Sequence, residues 1–396
     1  MTIDRDAPAR HPRAATPAKP ATPTDPAARL VATGWDALPG WAEDDHAAAL
    51  TALQRSARHV ARHGPHRTGA LLAPLGLGGE AFRPALLASL DTEPRGARAF
   101  FEHWFRPHAV EGAELGGPDG SGLVTGFYEP VIDASPVRRG EFRHPIHAPP
   151  PALRKNDGTV PPAPALPADH AWGLVVDGAL HEAPHRAAIE TGALADAMPY
   201  RDWPVIAWAR DRVDLFFVHI QGAARLQMTD GTERRITYAA KSGHPFTAIG
   251  AVLRDRGALP GGVSMASIRQ WLADHPDEAS AVMRLNRSYI FFREAAVDDP
   301  ALGPVAAARV PLHPGRSLAV DRRLHCFGTP IHVSAPLLAW DGRPFARLMI
   351  AQETGTAIVG AARGDIFTGS GPAAGARAGG IVAPARFVAL LPRTDA

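Results

Sequence analysis

A chain of 396 residues has room for two domains with cores of their own. Hydrophobic residues make up 45% of it and charged residues 21%, a globular balance that excludes fibrous and wholly disordered classes. The formal charge of +2 gives no electrostatic basis for binding nucleic acid, and the single cysteine, Cys326, excludes an intrachain disulfide framework or a cysteine metal cluster.

In chain order, residues 1–35 are rich in Ala, Pro, Thr and charge and read as a disordered tail. They lack the apolar segment of a signal peptide and any cysteine that could carry a lipid. No apolar run elsewhere is long enough for an integral membrane span. Residues 36–120 read as a helical part. Ala47-Ala-Ala-Leu-Thr-Ala-Leu-Gln-Arg-Ser-Ala-Arg-His-Val60 has apolar residues at helical spacing. Gly96-Ala-Arg-Ala-Phe-Phe-Glu-His-Trp-Phe105 predicts a second helix, with an aromatic face suited to a core. Gly116-Gly-Pro-Asp-Gly-Ser-Gly122 breaks the helical pattern and opens a β-rich region over 121–295.

The strands expected there are 123–128, 215–220, 224–228, 235–239 and 289–292, the third and fourth joined by the hairpin turn Thr229-Asp-Gly-Thr232. Residues 147–169 form a proline-dense loop with too little periodicity for a core element. Ser264 is expected to cap a short helix that stops before Pro276. From 296 to 396, short strands separated by Gly and Pro suggest a small β-barrel or sandwich.

His181-Glu-Ala-Pro-His185 matches the H-E-x-x-H zinc pattern, but that chemistry needs both histidines one turn apart on a regular helix. Pro184 would clash within that turn and remove a hydrogen bond. The other histidines are scattered along the chain, so no metal is assigned. Walker loops, dinucleotide fingerprints and nucleophile elbows are absent from the sequence.

What remains suits a sugar. Thr125-Gly-Phe-Tyr-Glu-Pro130 sets a hydroxyl, two aromatics and a carboxylate at a strand end, and Gln221-Gly222 closes an apolar strand with an amide. Lys241-Ser-Gly-His-Pro-Phe246 adds a cation and an imidazole. Near the end of the chain, Glu353 and Asp365 each follow an apolar run beside glycine turns. They read either as turn-forming surface acids or as carboxylates facing a groove, where two of them could serve as an acid/base pair.

Together these segments resemble the membrane-bound lytic murein transglycosylase A family, from about Trp35 to Leu391. Further landmarks are Phe217-Val-His-Ile-Gln-Gly222, Asn286-Arg-Ser-Tyr-Ile-Phe-Phe292 and Gly315-Arg-Ser-Leu-Ala-Val-Asp-Arg322. The C-terminal stretch resembles the family's three-aspartate domain, with Asp321, Glu353 and Asp365 at the acidic positions. The resemblance implies a mainly β fold with N-terminal helices: a double-psi β-barrel built from 36–120 and 296–396, a second β domain (121–295) inserted into it, and a groove between them.

It also implies peptidoglycan glycan strands as substrate, cleaved next to N-acetylmuramic acid to leave a 1,6-anhydro end, with no cofactor. Asp365 takes the position of the single catalytic acid. Thr125, Phe127, Tyr128, Gln221, Gly222, Lys241, Glu353, Thr354 and Gly355 take substrate-binding or supporting positions, and Asp321 is assigned to holding a barrel loop. That substrate implies a periplasmic or outer-membrane-associated location, and the chain is expected to be a monomer. The chain departs from the family pattern where Asp-Thr-Gly becomes Glu353-Thr354-Gly355, Tyr-Tyr becomes Phe127-Tyr128, Gln-Gly-Ser-Gly becomes Gln221-Gly-Ala-Ala224 and Lys-Asn-Gly becomes Lys241-Ser-Gly243. Those changes keep two other readings open: a glycan-binding protein without activity, and a hydrolase using Glu353 with Asp365.

Overall fold

The computed structural model of the protein describes residues 28–112, 115–117, 121–192 and 203–393. Residues 1–27 of the expected tail lie outside them. The remainder of that tail is structured, because Ala28–Ala32 forms strand β1. Helix α1 (His46–His63) follows; the Asp45 side chain accepts from Ala48 N at 3.0 Å and Gly64, at φ +81°, ends it. Its buried face of Ala49, Leu50, Ala52, Leu53, Ala57 and Val60 follows the expected helical spacing. Helices α2 (Arg83–Ser89) and α3 (Ala97–Trp104) pack with it into one apolar core.

The chain then turns directly into β2 (Phe105–Gly112), which pairs antiparallel with β1. Expected as helical, this segment is a strand with Phe105, Pro107 and Ala109 buried around an exposed Arg106. Next come β3 (Leu123–Glu129), β4 (Val131–Ser135), β5 (His144–His147), β6 (Leu153–Lys155), β7 (Trp172–Val176) and β8 (Ala179–His181). The proline-dense loop thus contains a short strand and contributes buried Leu153, Ala163 and Leu166.

After α4 (Arg186–Glu190) and β9 (Val205–Ala209), residues Arg212–Gln221 form helix α5, not the expected strand. The Asp211 carboxylate accepts from Val213 N and Asp214 N to start it, and Gly222, at φ +78°, stops it. The expected hairpin is β10 (Ala223–Met228) with β11 (Glu233–Lys241). Helices α6 (Ile249–Asp255), α7 (Met265–Asp274) and α8 (Pro276–Arg284) precede β12 (Ile290–Glu294); Ser264 caps α7 in a capping box with Ser267. The chain closes with β13 (Ser317–Val320), β14 (Pro330–Trp340), β15 (Arg343–Glu353), β16 (Arg363–Ser370), α9 (Gly371–Gly379), β17 (Val382–Pro384) and β18 (Arg386–Pro392).

The fold is mainly β with several helices. Strands from both ends of the chain share a nine-stranded sheet ordered β1-β2-β18-β14-β15-β13-β16-β3-β17. The intervening chain builds a six-stranded sheet, β12-β11-β10-β4-β9-β5, and a three-stranded one, β6-β7-β8. Helix α1 is fixed to the large sheet by polar contacts as well as by its apolar face. Asp44 accepts both guanidinium nitrogens of Arg316 and the Leu348 N–H, and the Gln352 amide donates to Ala52 O and Ser56 Oγ. No helix among the described residues is long and apolar enough to cross a membrane.

Candidate active site

The chain passes from one large sheet to the other at Glu129 and Pro130, where β3 gives way to β4. Just before that crossing, β3 runs parallel to β16 with Thr125 paired to Asp365. On the other side of β16, Ala319 of β13 pairs with Asp365 and, through a bulge, with Glu353 of β15. Thr125, Asp365, Ala319 and Glu353 therefore form one row across four strands. The two acids flank β13, with backbones roughly 9–10 Å apart for two strand steps.

Thr125 Oγ1 donates to Asp365 Oδ1 at 2.6 Å and accepts from the Arg363 guanidinium at 2.8 Å. Asp365 is half-buried, its carboxyl enclosed largely by protein. That enclosure pushes its pKa up to about 6, against the lowering effects of Thr125 and Arg363. Burial also raises Glu353, to about 7. Its two oxygens accept from Thr354 N at 2.7 Å and Ala307 N at 3.1 Å. Phe127 packs on Phe367 with ring centroids 5.3 Å apart.

Residues 123–293 match the MltA specific insert domain and residues 316–391 match the 3D domain. The membrane-bound lytic murein transglycosylase A of Escherichia coli strain K12 is 32% identical over 284 residues, 69% of this chain and 67% of that protein. The chain belongs to the membrane-bound lytic murein transglycosylase A family. A crystal structure of a membrane-bound lytic murein transglycosylase from Agrobacterium tumefaciens is 45% identical, with TM-score 0.82 over 93% of this chain and 98% of that one. The structure of E. coli MltA with bound chitohexaose is 27% identical, with TM-score 0.61 over 94% and 95% of the respective chains.

Within this family member, the residues singled out from the sequence separate into groups. Thr125, Glu353 and Asp365 share the row, with Thr354 and the exposed Gly355 at the turn that follows Glu353. Phe127 lies two residues beyond Thr125 on the same strand face. Tyr128 points to the opposite face: 8% exposed, it packs under α9 against Ala374 and Ala378, so it is not available to stack on a sugar. Gln221 ends a helix, and its Oε1 accepts from Tyr128 N at 3.3 Å. Gly222 is that helix's left-handed terminator. Lys241 ends β11 on the smaller sheet, opposite Ile290 of β12, and burial lowers its pKa.

Asp321 is 3% exposed and accepts from Arg323 and from Gly360 N. Gly360 sits at φ +124°, where an added Cβ would lie 2.7 Å from Gly116 Cα. Asp321 thus holds the turn that leads into β16.

Two features escaped the sequence reading. Arg363 lies two residues before Asp365, a spacing that places both on one face of a strand and could have flagged it. The other is the structural role of Glu129: expected among the groups suited to a sugar, its side chain is instead fully buried and accepts from Arg225 at 2.8 Å and from Ser370. Arg225 also donates to Pro300 O and Leu302 O, so this cluster joins β3, β10, β16 and the 300–302 segment.

Proposed function

We propose that the chain is a peptidoglycan lytic transglycosylase that uses Asp365 as its single proton carrier. The observation that carries this reading is a half-buried carboxyl with a pKa raised to about 6, held by a hydrogen bond from Thr125. At that pKa the protonated form is abundant at mildly acidic pH and persists as a minor fraction at neutral pH, as a general acid requires. Asp365 would protonate the oxygen joining N-acetylmuramic acid to the next sugar. Left as a carboxylate, it would take the proton from the muramyl C6 hydroxyl as that oxygen attacks C1. The products are a new free hydroxyl on the leaving sugar and a 1,6-anhydromuramyl end. An internal nucleophile has a high effective concentration, so no second carboxylate is needed to activate water. The glycan oligomer bound by the E. coli relative supports a saccharide strand as ligand.

The raised pKa of Glu353 and its two-strand separation from Asp365 favour one rival, an inverting hydrolase, whose carboxyls stand about 6.5–9.5 Å apart. Against it, both Glu353 oxygens are taken by backbone N–H groups, which suits a residue that shapes the Ala307 and Thr354 loops.

Mass spectrometry of digested murein sacculi separates the readings. Anhydromuramyl ends support transglycosylation, reducing ends support hydrolysis, and intact sacculi support a binding protein. Asp365→Asn is expected to abolish release while leaving sacculus binding measurable. Full residual release by that variant would overturn the assignment.

A further inference from the structure

The dismissed H-E-x-x-H motif contributes to a different cluster. His181 ends β8 and His185 caps α4 with its Nδ1 accepting from Ala188 N, so the two never share a helix face. Glu182, between them, instead meets two histidines distant in sequence. His170 Nε2 lies 3.6 Å from Glu182 Oε1, and His244 Nδ1 lies 3.3 Å from the same oxygen. The three donor atoms lie within 4.8 Å of one another. For ligands about 2.1 Å from a tetrahedral metal, donor atoms stand about 3.4 Å apart, which matches these two separations.

Both imidazoles are oriented as metal ligands are. His244 Nε2 donates to Ala183 O at 2.6 Å, so in the neutral ring the Nδ1 lone pair faces the Glu182 carboxylate. His170 Nδ1 lies 3.5 Å from Asp169 Oδ1, which turns its Nε2 toward Glu182. The His244 and His170 side chains are 1% and 6% exposed, and neither inward-facing nitrogen has a hydrogen-bond partner. Lone pairs aimed at a carboxylate are mutually repulsive unless a cation lies between them. Arg287 Nη2, 3.4 Å from Glu182 Oε1, supplies part of that charge from the rim.

We propose that His170, Glu182 and His244 bind a divalent transition-metal cation of the zinc type. Water completes the tetrahedron from the adjoining cavity of about 300 Å³, bounded by Pro184, His185, Ala188 and Arg287. The site ties the β6-β7-β8 sheet to the loop that leaves β11 after Lys241. The backbone is already close there: an added Cβ at Gly243, φ +92°, would lie 2.4 Å from Trp172 O.

Zinc chloride alone, titrated calorimetrically into chelator-treated full-length protein, tests this. The expected result is one equivalent bound per chain, with a thermal midpoint several degrees higher under saturating zinc. Glu182→Gln, at a partly exposed position, should keep the fold and weaken zinc at least tenfold. His244→Ala should abolish both binding and the zinc-dependent shift. Absence of saturable binding by the wild type, or unchanged affinity in folded Glu182→Gln and His244→Ala, would overturn the proposal. Asp365 lies outside this cluster, so the outcome is independent of the transglycosylase reading.

Discussion

Thr125 and Asp365, 240 positions apart in the chain, are paired in register on parallel strands and share a 2.6 Å hydrogen bond. The hydroxyl stabilises the ionised carboxylate and so opposes the rise that burial imposes on it. Thr125→Val keeps the shape and removes the donor. In its pH–rate profile the limb set by Asp365 should move to higher pH. The rate below that limb should fall by about tenfold or less, the cost of one neutral hydrogen bond. An unmoved limb in the profile of kcat/KM would separate Thr125 from the acid.

The raised carboxyls also fix a sign for stability. Asp365 holds its proton in the folded state up to about pH 6 but in the unfolded chain only to 3.8; Glu353 does so up to about 7 against 4.5. The folded chain therefore binds more protons across roughly pH 4–7, and stability falls as pH rises through that window. Each group contributes about 1–3 kcal/mol, at the low end because both residues are only half-buried. Urea melts at pH 4.5 and pH 8 should show a smaller difference in Asp365→Asn and Glu353→Gln than in wild type. An equal or larger difference in both variants would contradict the buried-acid description.

How much of this was legible in the sequence depends on the range of the information. α1, α7 and the β10–β11 hairpin were readable because caps, spacing and turn residues are local. Leu215-Phe-Phe-Val-His-Ile220 suggested a strand through its β-branched and aromatic content, yet Asp211 and Gly222 bracket it as helix start and stop signals. The side assignment of Tyr128 was also available, since alternate residues of a strand face opposite ways. Other relationships were not accessible. The Thr125–Asp365 pairing and the meeting of His170, Glu182 and His244 arise from sheet order and loop packing, for which one sequence has no period.

Replacing Glu353 by Gln distinguishes a supporting residue from an acid/base partner. The amide preserves one acceptor oxygen for Thr354 N or Ala307 N but leaves its NH₂ facing the other N–H. A supporting role predicts a loss of roughly tenfold in sacculus digestion, with anhydromuramyl ends still the product. If Glu353 instead activates water, activity should fall by about a thousandfold or more and the wild-type products should carry reducing ends. End-group analysis of both proteins on the same sacculi checks this.

The cluster at the sheet crossing predicts a stability effect far from the acid. Glu129 has no exposed side-chain surface, and Arg225 is the cation in hydrogen-bonding contact with it; Arg235 stands 3.9 Å away. Arg225→Ala would leave a buried carboxylate with only Ser370 and the more distant Arg235, a loss of about 3 kcal/mol. The same change frees Leu302 O and leaves Pro300 O with the longer bond from Arg235, loosening the segment that leads to Ala307 and hence to Glu353. Adding Glu129→Gln to Arg225→Ala removes the unpaired charge, so the double variant should be more stable than Arg225→Ala alone. Thermal melts of wild type and the three variants measure the coupling. Strict additivity would show that the pair does not join the two sheets energetically.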